Sequence, residues 1–224
     1  MSKRPIRVLK LGGSLLDNHE FVQQFDDWLQ LQPPAWNLVI VGGGNLVEAM
    51  RDLDRSFQLP SSFVHWACVR LLESTFEVVC QLFPHATMVS DRQQWLALAT
   101  RLASAGAIAD QQCTAISEVA IINVPAFYAA KFAQELPIRL PENWSTTSDS
   151  IAALLCRIVQ ADELVLLKST DPPAESSIEN LAQQGIVDAA FPEASHGIGR
   201  IRIVNMRSTT PSVPRHYLGT RKLR

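Results

Sequence analysis

An α/β fold built on a parallel sheet follows from a pattern that occurs twice and from the buried strands behind it. Ile6, Val8 and Leu9 run into Lys10-Leu11-Gly12-Gly13-Ser14, and Leu38-Val39-Ile40-Val41 runs into Gly42-Gly43-Gly44-Asn45. Each turn is followed by residues at helical spacing. Apolar strand, glycine turn and helix in succession is the βα rhythm of a parallel sheet, whose ligands bind at the carboxyl ends of the strands. Continuous apolar runs at Val119-Ala120-Ile121-Ile122 and Leu164-Val165-Leu166-Leu167 supply further strands, and Ile201-Arg202-Ile203-Val204-Asn205 reads as a late one.

The connecting elements follow from spacing. Phe21, Val22, Phe25, Trp28, Leu29 and Leu31 predict a helix that Pro33-Pro34 ends, with Phe25 and Trp28 as core. The first glycine turn feeds a helix predicted to start near Ser14 or Asp17. After the second turn comes a helix carrying Leu46, Val47, Met50 and Leu53. Residues 61–83 read as another, capped by Ser61 or Ser62, with Phe63, Trp66, Ala67, Val69, Leu71 and Leu72 on its apolar face. A strand at 86–89 and a helix with Trp95, Leu96, Leu98 and Leu102 come next. Leu136-Pro137-Ile138-Arg139-Leu140-Pro141 cannot be regular helix and marks the boundary between two lobes, about 1–140 and 141–224. Ser145–Ser150 then opens a helix through Ile151, Leu154, Leu155 and Ile158.

Composition bounds the function classes. With 224 residues, 47% hydrophobic and 19% charged, the chain has ordinary globular composition and enough length for a substantial core. A formal charge of −2 gives no general drive toward nucleic acid or acidic membranes, and the basic last ten residues read as a solvated end. The 4 cysteines, Cys68, Cys80, Cys113 and Cys156, are widely separated and sit in apolar settings, which predicts buried free thiols in a reducing compartment. No apolar signal region opens the chain and no stretch approaches membrane-spanning length, so the expectation is a soluble, cytoplasmic protein. No metal-ligand cluster or nucleophilic triad is evident, and no Gly-x-Gly-x-x-Gly follows either strand, which weighs against a dinucleotide-binding oxidoreductase.

The glycine turns carry the chemistry. Glycines let backbone approach a ligand closely, and free N–H groups at a helix start attract anions. Lys10 adds a positive charge suited to phosphate, although no Gly-Lys-Ser/Thr closes a P-loop pattern. Three consecutive glycines at 42–44 cost backbone entropy and point to close approach or unusual dihedrals. Arg51, further along the following helix, fits either a clamp for a carboxylate or phosphate or a solvated helix arginine. His65 reads as a core-edge histidine more readily than as a ligand, and Asp149 as a helix N-terminal acid favoured by the dipole. The polar run Lys168-Ser169-Thr170-Asp171 ends a strand where ligands bind.

Four segments in order, Lys10-x-Gly-Gly-Ser, Val41-Gly-Gly-Gly44, Thr147-Ser-Asp-Ser-Ile-Ala-Ala153 and Leu166-Leu-Lys-Ser-Thr-Asp171, resemble the amino-acid kinase family, which includes acetylglutamate, carbamate, uridylate and isopentenyl phosphate kinases. Within it, Gly42–Gly44 with Arg51, His65-Trp66, Leu136-Pro137, Trp144, Thr147–Asp149, Gly185-Ile-Val-Asp188, Phe191-Pro192, Val204-Asn205 and Gly219-Thr220 resemble the aminomethylfuran phosphate kinases of methanofuran biosynthesis, which convert a furan-methyl phosphate to its diphosphate. The resemblance implies a three-layer α/β/α sandwich with a mainly parallel central sheet, the acceptor lobe preceding the nucleotide lobe. It implies ATP and Mg²⁺ as cofactors, a small anionic acceptor and a homo-oligomer. Lys10 would hold the transferring phosphoryl group, with amides of Gly12, Gly13, Gly43 and Gly44 around the phosphates. Asp149 would orient the catalytic lysine. Nucleotide contacts would come from Gly12, Gly13, Ser14, Lys168, Ser169, Thr170 and Asp171, and acceptor contacts from Gly42, Gly43, Gly44, Arg51 and His65.

The chain departs from that pattern in two places. Asp171 meets Pro172-Pro173 where many members continue Val-Asp-Gly-Val, and a Gly-Gly-Met-type segment with a second lysine is replaced by Gln183-Gln184-Gly185-Ile186-Val187-Asp188. Lys168 resembles the lysine of the uridylate kinases' Lys-x-Thr segment and is the candidate for the missing charge. Two function classes follow: an ATP-dependent kinase, and a non-catalytic nucleotide- or oxyanion-binding or regulatory member of the same family.

Overall fold

A computed structural model describes residues 4–104, 118–173, 176–208 and 215–217. Cys113 and Gly219-Thr220 lie outside the described residues. The elements are β1 (Ile6–Leu11), α1 (Phe21–Gln30), β2 (Trp36–Val41), α2 (Asn45–Phe57), α3 (Ser61–Leu82), β3 (Thr87–Val89), α4 (Arg92–Ser104), β4 (Glu118–Ile122), α5 (Val124–Phe127), α6 (Ser148–Val159), β5 (Glu163–Lys168), α7 (Ile178–Gln183), α8 (Phe191–Ala194), β6 (Ile201–Asn205) and β7 (Arg215–Tyr217). One seven-stranded sheet has the order β3-β4-β2-β1-β5-β6-β7. Six strands pair in parallel, and β7 closes the edge antiparallel to β6. The basic end is therefore partly a sheet edge, a pairing that charge alone does not reveal.

Strand alternation sorts the side chains into two cores. Ile6 and Val8 of β1, Leu38 and Ile40 of β2, and Leu164 and Leu166 of β5 face a cluster completed by α6 through Leu154 and Leu155. Leu9, Leu11, Val39, Val41, Val165 and Leu167 face the other cluster, where α1 contributes Phe21 and Phe25. The long α3 serves both, with Val69 and Leu72 in the first and Phe76 and Val79 in the second. Helices on both sides of a mainly parallel sheet make the three-layer α/β/α sandwich.

Several local expectations differ from what forms. The first glycine turn leads into a short 3-10 segment, Gly13–Asp17, and α1 waits until Phe21, because Asn18 takes an extended conformation (φ −111°, ψ 115°) that interrupts the helix. Pro60, not Ser61 or Ser62, precedes α3, and the Ser62 hydroxyl instead donates to Glu142. Leu31, Leu46, Leu53, Phe63 and Leu96 are exposed, and α2 has no fully buried residue. Spacing reports amphipathicity; how deeply a helix is covered depends on its neighbours.

At the amino ends of the strands, on the α1 face, lies a buried ionic cluster. Glu163 accepts from Arg7 at 2.7 Å, pairs with Arg202 at 2.7 Å, and meets Arg200 at 3.1 Å. Arg7 also donates to the Asn37 side chain at 3.0 Å and to the Pro33 carbonyl at 3.3 Å. Burial pushes the Glu163 carboxyl up, but the hydrogen bond from Arg7 and the charge of Arg202 more than offset it and hold it below the usual carboxylate range. Removing one partner from a buried pair leaves the other charge uncompensated. Glu163→Ala is expected to cost about 3–5 kcal/mol in urea unfolding. A loss under about 1 kcal/mol would show that water already screens these arginines.

Candidate active site

The same alternation carries both lysines to one place. Lys10 continues the Ile6–Val8 face of β1, and Lys168 continues the Leu164–Leu166 face of β5, the neighbouring strand. In the parallel register Lys10 lies opposite Leu166, so Lys168 sits one pleat further toward the carboxyl end. Against that face packs α6, whose first turn holds Asp149. The two ammonium groups grip its carboxylate from both sides: Lys168 Nζ donates to Oδ2 at 2.7 Å, and Lys10 Nζ approaches Oδ1 at 2.9 Å. Lys10 also lines the cavity, so an ammonium paired with Asp149 faces the space a ligand would fill.

Burial drives the electrostatics. Desolvation pushes the Asp149 carboxyl up, yet the charges of Lys10 and Lys168 outweigh it and bring it to about 2. Lys168 is pushed down, first by burial and then by the repulsion of Lys10, with Asp149 pulling the other way. Both ammoniums border the cavity, with Asp149 between them and Asp188 also acting on Lys168.

The glycine turns form the adjoining wall. A Cβ on Gly13 would lie 2.1 Å from the Gly44 nitrogen, so the β1 and β2 turns are in backbone contact that no side chain permits. Gly44 has φ +52°, a region L side chains rarely adopt, and it precedes the first turn of α2. The N–H groups of Gly13, Gly43 and Gly44 make no turn or loop hydrogen bond among the described residues. Those of Gly12 and Gly42 do: they donate to the Leu167 and Leu11 carbonyls, both at 2.8 Å, so the sheet ladder already uses them. Helix-start amides beside two ammoniums form a phosphate cradle by their chemistry.

A cavity of about 610 Å³ opens on this centre. Of the residues singled out in the sequence, Lys10, Gly13, Ser14, Asp149 and Lys168 line it, as do Gly42–Gly44, Arg51 and His65. Gly12, Ser169, Thr170 and Asp171 do not. The Ser169 and Ser14 hydroxyls share a hydrogen bond at 3.0 Å, and Asp171 accepts from Asn205 at 3.0 Å. Arg51 stacks its guanidinium 4.1 Å from the centre of the Trp144 ring while its Nε donates to Glu48 at 3.2 Å. His65 is buried and shares a 2.8 Å hydrogen bond with the Tyr128 hydroxyl; burial pushes its imidazole down, with Glu142 opposing. Cys68, on the same wall, is pushed up by burial to about 11, so its thiol stays protonated.

Sequence reasoning did not assign three features of the site. Trp144 donates from its indole to Asp54 at 2.6 Å, and Trp66 donates to Glu142 at 2.9 Å, so the loop after residue 136 is latched to both α2 and α3. Asp188 receives hydrogen bonds from the first turn of α6. The helix-start pattern at Thr147 was legible, but nothing local marks the carboxylate that would meet it.

The whole arrangement lies within a familiar frame. The amino acid kinase family model matches residues 5–172. The chain belongs to the amino acid kinase family. Solved structures agree on the fold. The uridylate kinase of Archaeoglobus fulgidus is similar at 16% identity and TM-score 0.54, covering 88% of each chain. The UMP kinase of Ureaplasma parvum is similar at 10% identity and TM-score 0.59, covering 92% of this chain and 91% of that one. The UMP kinase of Bacillus anthracis is similar at 13% identity and TM-score 0.56, covering 92% and 89%. No curated protein sequence matches the chain at a significant level.

Magnesium and nucleotide can be tested against these residues. Among the described residues no group of three or more His, Cys, Asp or Glu could hold a metal ion, and no helix is long and apolar enough to cross a membrane. Both Asp149 oxygens already face lysines. The donor set therefore fits a magnesium ion carried on nucleotide phosphates and not one caged by protein carboxylates. The amide cradle and the two lysines fit the phosphates themselves.

Acid should act through Asp149. Its folded-state value, about 2, lies below the ordinary 3.8, so the unfolded chain binds the proton more readily between these values. The stability it contributes is fully present above 3.8 and is lost as pH falls through about 2. Melting temperatures measured across that window should fall more steeply for the wild type than for Asp149→Asn. Parallel curves would mean that the lysines do not hold the carboxylate in solution.

Proposed function

We infer that the chain is an ATP-dependent kinase that transfers the γ-phosphoryl group, with Mg²⁺, to a small anionic acceptor. The observation that carries this reading is the Asp149 carboxylate held between Lys10 and Lys168 beside open glycine amides at the carboxyl ends of β1, β2 and β5. Phosphoryl transfer needs little covalent help from a protein; positioned cations and amide donors stabilise the charge that spreads over the equatorial oxygens. ATP supplies the transferable group. Lys10 holds that group, Lys168 neutralises charge from the other side, and Asp149 keeps the two ammoniums in place. Burial of this centre strengthens each contact relative to water.

The acceptor lobe, about 1–140, brings Gly42–Gly44, Arg51 and His65 to the cavity, and the nucleotide lobe, about 141–224, brings Asp149 and Lys168. Val69 and Leu72 of α3 add apolar surface to the cavity that Arg51 also lines. A cavity with both suits a phosphate ester with a compact carbon body. Aminomethylfuran phosphate, giving the diphosphate, is the acceptor best supported by the motif resemblance. Exposed apolar residues on α2, among them Leu53 and Phe57, support a homo-oligomer.

One observation favours the second reading, a nucleotide- or oxyanion-binding member without turnover. The Ser169–Asp171 run lies off the cavity, bonded to Ser14 and Asn205, just before Pro172-Pro173. Calorimetric titration of Mg·ATP, followed by product analysis with aminomethylfuran phosphate, separates the two. The kinase reading expects binding in the micromolar to millimolar range and a diphosphate product, with Lys10→Ala lowering turnover by about 10²–10³-fold. Binding without product for phosphate or carboxylate acceptors, the latter trapped with hydroxylamine, would favour the binder. No nucleotide binding at millimolar concentration would overturn the kinase reading.

A further inference from the structure

Asp188 lies in the stretch after α7 that borders the cavity, yet all its hydrogen bonds go to another element. Its Oδ2 accepts from the Thr147 amide at 2.8 Å, the Thr147 hydroxyl at 2.7 Å and the Ser150 amide at 3.0 Å. Its Oδ1 accepts from the Ser150 hydroxyl. The residues enclosed by these contacts are Ser148 and Asp149. A helix start leaves its first amides without intrahelical partners, and a carboxylate there both satisfies them and complements the dipole. Here the cap comes from a residue far along the chain.

The segment that delivers Asp188 is itself anchored. Gly185 ends α7 with φ +70°, and the Ile186 amide donates back to the Leu181 carbonyl at 2.9 Å. Beyond Asp188, the Ala190 amide donates to the Ser145 carbonyl at 2.8 Å, so residues 185–190 hold the 145–150 segment at two points. Leu181, Val187 and Phe191 sink into the same core as α6. A rotation or lift of the first α6 turn would have to break this set together, and Asp149 would move with it. A shift of an ångström at a reaction centre is costly to rate even when binding survives.

We propose that Asp188 is a positioning residue for phosphoryl transfer, fixing the first turn of α6 so that Asp149 stays between Lys10 and Lys168. It touches neither lysine through a hydrogen bond and acts through the helix it caps. The proposal rests on the kinase reading for its effect on rate, but the geometry it describes can be read without turnover.

Two measurements on Asp188→Ala and Asp188→Asn test it. The first is reductive methylation of lysines at neutral pH, quantified at Lys10 and Lys168 by mass spectrometry. The second is steady-state conversion of Mg·ATP to ADP, with water or aminomethylfuran phosphate as acceptor. Asp188→Ala should raise labelling of both lysines several-fold and lower kcat by about 10- to 100-fold, with KM for Mg·ATP changed by less than about 3-fold. An asparagine can still accept from the amides and donate to the Ser150 hydroxyl, so Asp188→Asn should keep labelling near wild type and restore kcat to within about 5-fold. Wild-type labelling and kcat in a folded Asp188→Ala protein would overturn the proposal and leave Asp188 as a plain helix cap. An asparagine variant as slow as alanine would also overturn it, because the charge itself would then be acting directly, on Lys168, substrate or metal. If the wild type neither binds nor turns over ATP, the kinase reading fails while the labelling still decides the positioning. Should Asp188→Ala not fold, Ser150→Ala removes one contact alone: raised labelling supports the proposal and unchanged labelling overturns it.

Discussion

One carboxylate between two ammoniums organises the end of the sheet where β1 and β5 meet. Two lysines pointing into the same buried space repel each other, and the Asp149 carboxylate between them offsets that repulsion. That requirement fixes the relation of α6 to the sheet, because only a helix that starts at the carboxyl ends of β1 and β5 can present its first turn to both. The glycine turns meet the same constraint from the other side. Gly13 and Gly44 let two strand ends approach closely enough for their amides to share one cavity with the lysines.

The amino ends of the strands answer with a different balance. Arg7, Arg202 and Arg200 converge on Glu163, so a single carboxylate again serves several cations. There the arginines are engaged by fixed partners, a side-chain amide and a backbone carbonyl included. At the lysine end, open amides and a cavity remain. Both centres bury charge; only one of them leaves that charge something to bind.

The loop that closes over the cavity is held by two indole–carboxylate bonds and a cation–π contact rather than by regular structure. Trp144 couples Arg51 and Asp54 of α2, and Trp66 of α3 couples Glu142. Each bond gives a half-buried indole N–H an acceptor. A proline-rich segment cannot provide its own ladder of backbone bonds, so side chains of the neighbouring helices take that role.

Much of this was legible in order of residues. Apolar runs named the strands, with Lys10 just before the first glycine turn and Lys168 at the end of a later strand. The glycine turns marked where a ligand could approach, and Thr147-Ser148-Asp149 announced a helix start. These features are local, and local chemistry is what a sequence states directly. Tertiary structure decided the rest. It took the Gly12 amide into the sheet, left Ser169–Asp171 beside the cavity instead of in it, seated Arg51 on Trp144, and brought Asp188 to the start of α6. Each depends on which surfaces meet across long separations in the chain, and no spacing rule encodes that meeting. The sequence alone determined the strands, turns and charges of the centre; only packing determined which of those charges face one another and which donors remain open.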